Sequence, residues 1–182
     1  SELAVNDRKH KDTAREFLLK SIEIKKDPAY LDRAGMARSF GGLGRLELNV
    51  EPTDPEKALK YFQKDLELSK ITGDYKGQVK MHSFIGACFV KMGDQEKAVS
   101  NYQISYEMST DIVDRFFALM GMLELSSSEV RPDVFEKSKE ELSLLVQDDR
   151  LPRFCKDPLM GIIRKHTDQD HLMSLLFNKK SN

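Results

Sequence analysis

The chain has 182 residues, of which 40% are hydrophobic and 32% charged, with 29 Lys and Arg against 30 Asp and Glu. This length fits one domain with a sizeable core, and a formal net charge of −1 does not indicate a nucleic-acid partner. No run approaches the roughly 18 apolar residues that a bilayer-spanning helix needs, so membrane insertion is not expected.

Helical periodicity dominates the beginning of the chain. A first helix is predicted from Asp7 to Lys25, and its inward stripe consists of Ala14, Phe17, Leu18, Ser21 and Ile22. A second helix is predicted from Ala29 to Leu48, with Pro28 in its first turn. Its many small residues indicate a close neighbour. The predicted packing seam is Phe40, Leu43 and Gly44.

Capping residues divide the middle of the chain into three further helices. Asp54 and Pro55 are expected to open a helix that runs to Ile71. Gly73 and Asp74 then separate it from a helix at residues 75–92. A tight Gly93-Asp94 turn leads into the next helix, at residues 95–110, so these last two helices form a hairpin.

The last third of the chain has weaker patterns. Thr110 or Asp111 is expected to cap a helix that includes Phe116, and another helix is predicted at residues 133–147. Short helices are expected within residues 148–178, and residues 1–6 and 179–182 are expected to be disordered. The apolar residues of these short helices are Leu159, Ile162, Ile163, Leu172, Leu175, Leu176 and Phe177. No strand is predicted.

An internal repeat connects these helices. Residues 54–62, read DPEKALKYF, align with residues 94–102, read DQEKAVSNY, at a shift of 40. The other helix of each pair carries a large residue, then an apolar residue and a glycine. This pattern occurs as Phe40-x-x-Leu43-Gly44, His82-x-x-Ile85-Gly86 and Phe117-x-x-Met120-Gly121. A helical hairpin of this kind buries its apolar face by stacking on copies of itself.

The repeat resembles the tetratricopeptide repeat family, in the branch with long repeats that includes Pins-type adaptors. The match covers about Pro55 to Ser109 and includes the Gly73-Asp74 opening. The resemblance implies an all-α, right-handed superhelix of about three hairpins over residues 7–147, with a helical cap at residues 148–178. The implied packing positions are Phe40, Leu43, Gly44, Ala58, Phe62, His82, Ile85, Gly86, Phe89, Ala98, Tyr102, Phe117, Met120 and Gly121.

In that family, the first helices of the hairpins line a concave groove that binds peptides. The resemblance therefore implies groove-facing side chains at Lys80, Ser83, Ala87, Val90, Lys91, Arg38, Ser39 and Arg45. Lys and Arg side chains on such a wall could pair with acidic groups of a partner. The alternative is that they are ordinary solvated helix residues.

Catalytic and metal-binding patterns are weak. His166 and His171 are poorly spaced for one helical face, and no motif ties an acid or a nucleophile to His82. The glycines at residues 41, 42 and 44 lack the strand and the Lys-Ser or Lys-Thr of a phosphate loop. Cys88 and Cys155 are far apart and are expected to be reduced thiols. We expect no enzyme activity, cofactor or metal.

These patterns predict a non-catalytic protein-protein interaction module that assembles or regulates a cytoplasmic complex. The resemblance to Pins-type adaptors adds an expectation of cytoskeletal or centrosomal association. Two alternatives stay open. The chain could be a self-associating oligomerisation scaffold, or a regulatory domain whose C-terminal helices are autoinhibitory. No nucleic-acid partner is expected.

Overall fold

The computed structural model describes residues 2–126 and 131–155, with the side chains of residue 9 onward, and this part of the chain is helical without strands. Helices with defined bounds are α1 (Glu2–Lys26), α2 (Arg33–Asn49), α3 (Pro55–Thr72), α4 (Tyr75–Met92), α5 (Gln95–Met108), α6 (Ile112–Leu125) and α7 (Pro132–Gln147). The all-α prediction is therefore confirmed for these residues.

The predicted caps of the middle helices are confirmed. Asp54 accepts a hydrogen bond from the backbone N–H of Lys57 at 2.9 Å, and Pro55 lies in the first turn of α3. Helices α3 and α4 end at Gly73 and Gly93, whose φ angles are 71° and 79°. This left-handed conformation suits glycine, and it lets the chain reverse within a few residues.

The predicted start of α2 is wrong. The helix begins at Arg33, after a turn in which the N–H of Tyr30 donates to the carbonyl of Asp27 at 2.9 Å. The N-cap is Asp32, whose carboxylate accepts from the N–H of Gly35 at 2.7 Å. Two aspartates that could act as caps are present, and the second one begins the helix.

The predicted inward face of α1 is also partly wrong. Phe17 is 69% exposed, whereas Ile22 is buried at 2% and Leu18 is half-buried. The buried face includes Lys11, and Arg15 beside it is half-buried, because both side chains pair with a buried carboxylate of α2. A count of apolar residues cannot identify a face that buries compensated charge.

The chain divides into two compact units, Ser1–Asn101 and Tyr102–Asn182. In the first unit, α1 packs on α2, α2 on α3, and α3 on α4. The core contains Leu48, Ala58, Phe62, Met81, Ile85 and Cys88. The rings of Phe62 and Phe84 stack with centroids 5.0 Å apart. A β-carbon added at Gly44 would lie 2.5 Å from the Phe62 ring, so the small residue at this position permits the close approach of α2 and α3.

The second unit is built on the packing of α6 against α7. Its buried side chains include Phe116, Leu119, Leu123, Leu142 and Val146. A β-carbon at Gly121 would lie 2.6 Å from the ring of Tyr102, which repeats the relation of Gly44 to Phe62 in the first unit.

The positions implied by the repeat are distributed as follows. Leu43, Gly44, Ala58, Phe62, Ile85, Gly86, Ala98 and Met120 are buried, and Phe40, His82, Phe89, Tyr102 and Gly121 are half-buried. Phe117 is 42% exposed, and the buried ring is that of its neighbour Phe116, which meets it edge-on at 5.6 Å. The predicted helices beyond residue 155, with His166 and His171, lie outside the described residues, as do residues 179–182.

Candidate functional site

Three residues predicted to face a groove line one pocket. Arg38 and Arg45 of α2 and Lys80 of α4 surround a cavity of about 380 Å³. Its remaining lining residues are Ala37, Gly41, Asp65, Asp74, Lys76, Gly77, Met81 and Phe84. We call this cavity the cationic pocket. It lies within the first compact unit.

Helical spacing explains how α2 forms its wall. Arg38, Gly41 and Arg45 follow one another at i, i+3 and i+7, so they lie along one face of the helix. Gly41 is buried, whereas both arginines are exposed. The small residue therefore leaves room for the carboxylate of Asp65 between two cationic side chains.

Helix α4 forms the facing wall in the same way. Lys76, Lys80 and Phe84 are spaced at i, i+4 and i+8, and Met81 lies beside them. Both lysines are exposed, Phe84 is half-buried and Met81 is buried. The wall thus has cations at its rim and apolar side chains deeper in the pocket.

The positive charge of the pocket is only partly compensated. Arg38, Arg45 and Lys80 form no salt bridge with any residue that the structure describes. Asp74 is the N-cap of α4, and its carboxylate accepts from the N–H of Gly77 at 2.8 Å. Arg38, Arg45 and Lys80 are therefore available to an anionic ligand.

Asp65 of α3 is the buried acid of the pocket. It is 5% exposed, and its Oδ1 accepts a hydrogen bond from the hydroxyl of Ser69 at 3.0 Å. Burial raises the pKa of Asp65 to about 6, together with the nearby charge of Asp74, although the Ser69 hydrogen bond and the charge of Arg45 oppose this rise. At neutral pH the carboxylate is mostly ionised.

The other groove candidates do not line this pocket. Ser39 is buried at 4%, and it accepts a hydrogen bond from Lys25 at 2.9 Å, so it is not available to a ligand. Ser83 and Ala87 are half-buried, and Val90 is exposed. Lys91 lines a different cavity, described next.

A second charged cavity surrounds Glu47. It has a volume of about 550 Å³, and its lining includes Lys11, Arg15, Lys57 and Lys91. Glu47 is 1% exposed and forms salt bridges with Lys11 at 2.9 Å, Arg15 at 2.8 Å and Lys57 at 3.2 Å. Three of its cations are therefore already paired, which makes this cavity a weaker anion site than the cationic pocket.

The pKa of Glu47 reflects this pairing. Burial alone would raise it, but hydrogen bonds from Arg15, Lys11 and Lys57 outweigh burial and lower the pKa of Glu47 to about 2. Lys11 also donates to the backbone carbonyl of Val50 at 2.9 Å. We call Glu47, Lys11, Arg15 and Lys57 the Glu47 cluster. Its contacts join α1, α2 and α3.

The environments of His82 and Cys88 do not favour catalysis. His82 contacts Asn101 through its Nδ1 atom at 3.1 Å. Cys88 is fully buried, and burial raises the pKa of its thiol to about 12. Within residues 2–126 and 131–155, no three His, Cys, Asp or Glu side chains are grouped so that they could hold a metal ion.

Sequence reasoning did not predict the other eight lining residues of the pocket, among them Asp65, Lys76, Met81 and Phe84. A signal for Asp65 was present, because Phe62, Asp65 and Ser69 follow the inward spacing i, i+3 and i+7. A carboxylate on the buried face of a predicted helix is costly unless it is paired or hydrogen-bonded, so its presence there indicates a candidate site.

Comparisons with known proteins give no further identification. No family model matches the chain. No curated protein matches it either. In the described part of the chain, no helix combines the length and apolarity that crossing a bilayer requires.

Proposed function

We propose that the protein is a non-catalytic interaction module, of the tetratricopeptide-like kind, that binds an extended acidic segment of a partner protein in the cationic pocket. Binding of this kind would assemble or regulate a cytoplasmic complex. The observation that supports the proposal is the convergence of Arg38, Arg45 and Lys80 from two helices, without salt bridges to described residues, above apolar side chains.

The chemistry of the lining suits a peptide better than a small apolar ligand. Guanidinium groups bind carboxylates in a bidentate geometry, and Arg38 and Arg45 offer two of them on one helix face. Met81 and Phe84 add an apolar surface for the methylene groups of acidic side chains. A segment whose Glu carboxylates bind the arginines while their methylene groups pack on this surface would use both parts of the pocket.

The proposal is tested with a fluorescein-labelled decapeptide of alternating Glu and Gly. We expect the double change Arg45→Glu and Lys80→Glu to weaken binding at least tenfold, because each attraction becomes a repulsion. The matched control is Lys20→Glu with Lys60→Glu, which reverses two exposed lysines outside the pocket. Equal affinities for the pocket variant and the control, measured by fluorescence anisotropy, would refute the assignment.

Self-association is a second candidate, supported by exposed apolar residues on α1. Phe17 is 69% exposed and Ile24 is 62% exposed, and their separation of seven residues places them on one helix face. A concentration series by light scattering tests this candidate, with Phe17→Glu as the variant. A monomer at tens of micromolar, unchanged by Phe17→Glu, would exclude it.

Autoinhibition involves residues beyond those described, and truncation before Leu151 would test it.

A further inference from the structure

The charges of the cationic pocket alternate along α2. Arg38 lies one helical turn before Gly41, and Arg45 lies one turn after it. Asp65 packs against Gly41, and a β-carbon at that position would clash with its Oδ2 atom. A ligand that lies along α2 therefore meets a cation, then a carboxylate, then a second cation.

Asp65 has hydrogen-bonding capacity that its neighbours do not use. Its Oδ1 accepts from Ser69, but its Oδ2 accepts no hydrogen bond from any described residue. The side chain is 95% buried by the protein and still lines the cavity. An asparagine could bond to Ser69 without the cost of burying a charge, so the Ser69 contact alone does not account for an acid here.

We propose that Asp65 is the specificity-determining residue of the cationic pocket, which selects a segment with a hydrogen-bond donor between two acidic side chains. This inference rests on the proposed function and names the chemistry of the partner. The donor would be a side-chain amide or hydroxyl, and Asp65 Oδ2 would accept its hydrogen bond. The flanking carboxylates would pair with Arg38 and Arg45.

The spacing of these groups defines the length of the segment. Seven residues of α-helix separate Arg38 from Arg45, which corresponds to about 10 Å along the axis. Extended peptide advances about 3.3 Å per residue and alternate side chains share one face, so the side chains at positions 1, 3 and 5 span about 13 Å and face the pocket together. The flexible Glu side chains at positions 1 and 5 can converge on the two arginines, while the side chain at position 3 faces Asp65. Arg38, Arg45, Lys76 and Lys80 disfavour a cationic centre, and Asp65 disfavours an anionic one. A neutral donor satisfies both conditions.

The test uses three acetylated, amidated pentapeptides that differ at the centre, Glu-Glu-Asn-Glu-Glu, Glu-Glu-Leu-Glu-Glu and Glu-Glu-Glu-Glu-Glu. Asn and Leu are similar in size, and their two peptides carry equal charge. We expect the unmodified chain to bind the Asn peptide about tenfold more tightly than the Leu peptide, since a hydrogen bond to a charged acceptor is gained. Isothermal titration calorimetry at neutral pH and low salt gives the affinities.

The variant Asp65→Asn should change the order of affinities for the three peptides. With its oxygen held by Ser69, the new amide directs N–H groups into the pocket, so the all-Glu peptide should become the tightest of the three. Glu67→Gln is the matched control, because Glu67 lies on α3 but outside the pocket, and it should keep the original order. Circular dichroism verifies that both variants are folded, and the comparison of peptides on the unmodified chain does not depend on either variant.

The outcomes separate two kinds of failure. If none of the peptides binds and the Glu-Gly decapeptide does not bind either, the proposed function fails. If acidic peptides bind, but the unmodified chain binds the Asn peptide and the Leu peptide with equal affinity, the role of Asp65 is refuted and the proposed function stands. An unchanged order of preference in Asp65→Asn would also refute it.

Discussion

Glu47 connects three helices of the first compact unit through a single carboxylate. Its partners Lys11 and Arg15 belong to α1, and Lys57 belongs to α3. Lys11 is itself 3% exposed, so removal of the carboxylate would leave a buried ammonium group without its counter-charge. Removing one partner of a buried ion pair destabilises the fold by more than the intact pair stabilises it, because the remaining charge stays buried.

We therefore predict that Glu47→Gln lowers the free energy of unfolding by about 3 to 5 kcal/mol at neutral pH. The control Glu67→Gln breaks an exposed pair with Lys64 and should cost less than about 1 kcal/mol. Urea denaturation followed by circular dichroism measures both. Because the pKa of Glu47 is lowered from 4.5 to about 2, its stabilisation should be present above about pH 4.5 and lost as the pH falls towards 2. Similar losses in the two variants would contradict this role.

Asp65 should have the opposite effect on the pH dependence of stability, because its pKa is raised from 3.8 to about 6. An acid that is harder to ionise in the folded state destabilises the fold when it ionises, so stability should fall as the pH rises from about 4 to 6. We predict that Asp65→Asn, which stays neutral, is more stable than the unmodified chain at pH 7 by up to about 3 kcal/mol. The two should be nearly equal at pH 4. Urea denaturation across this pH range measures the difference, and a constant difference would contradict the prediction.

At the scale of helices, the turns after α3 and α4 depend on a left-handed glycine. No atom lies within 4 Å of a β-carbon added at Gly73, so a substitution there tests the backbone conformation without a clash. We predict that Gly73→Ala lowers the free energy of unfolding by about 1 kcal/mol. Gly73→Asn should cost less, because asparagine tolerates the left-handed region. Thermal unfolding measures both, and equal losses would contradict the conformational explanation.

The sequence was sufficient to predict most helices because local signals define them. Asp54, Gly73, Asp74 and Gly93 are short-range signals, and the helix bounds follow them closely. The start of α2 could not be chosen locally, since Asp27 and Asp32 each provide a side chain that can cap a turn. The choice between them depends on packing against other helices.

The candidate site was predicted less completely, because it depends on contacts between helices. The resemblance to the tetratricopeptide repeat implied that Arg38, Arg45 and Lys80 face a groove, but it could not show that they line the same cavity. The contribution of Asp65 comes from a third helix and requires the small residue Gly41 opposite it. Charge burial on α1 was missed for the same reason, since Lys11 is compensated by a residue of α2.

At the scale of the whole molecule, both charged cavities belong to the first compact unit. The residues that line the two cavities lie between Lys11 and Met92, inside Ser1–Asn101. The boundary at Asn101 falls within α5, which ends at Met108. A fragment that keeps the helices intact therefore ends after Met108. Such a fragment contains every helix on which the two cavities depend.

We predict that residues 1–108 fold cooperatively without the rest of the chain, because α2 to α4 supply a continuous core that includes Phe62 and Ile85, and α1 packs on α2. Glu47→Gln should then destabilise the fragment and the full chain equally, within about 0.5 kcal/mol, since all partners of the carboxylate are retained. Urea denaturation of both chains, with and without the substitution, provides the comparison. A fragment without a cooperative transition would show that the two units fold as one. A much smaller effect in the fragment would show that the Glu47 cluster needs residues beyond Met108.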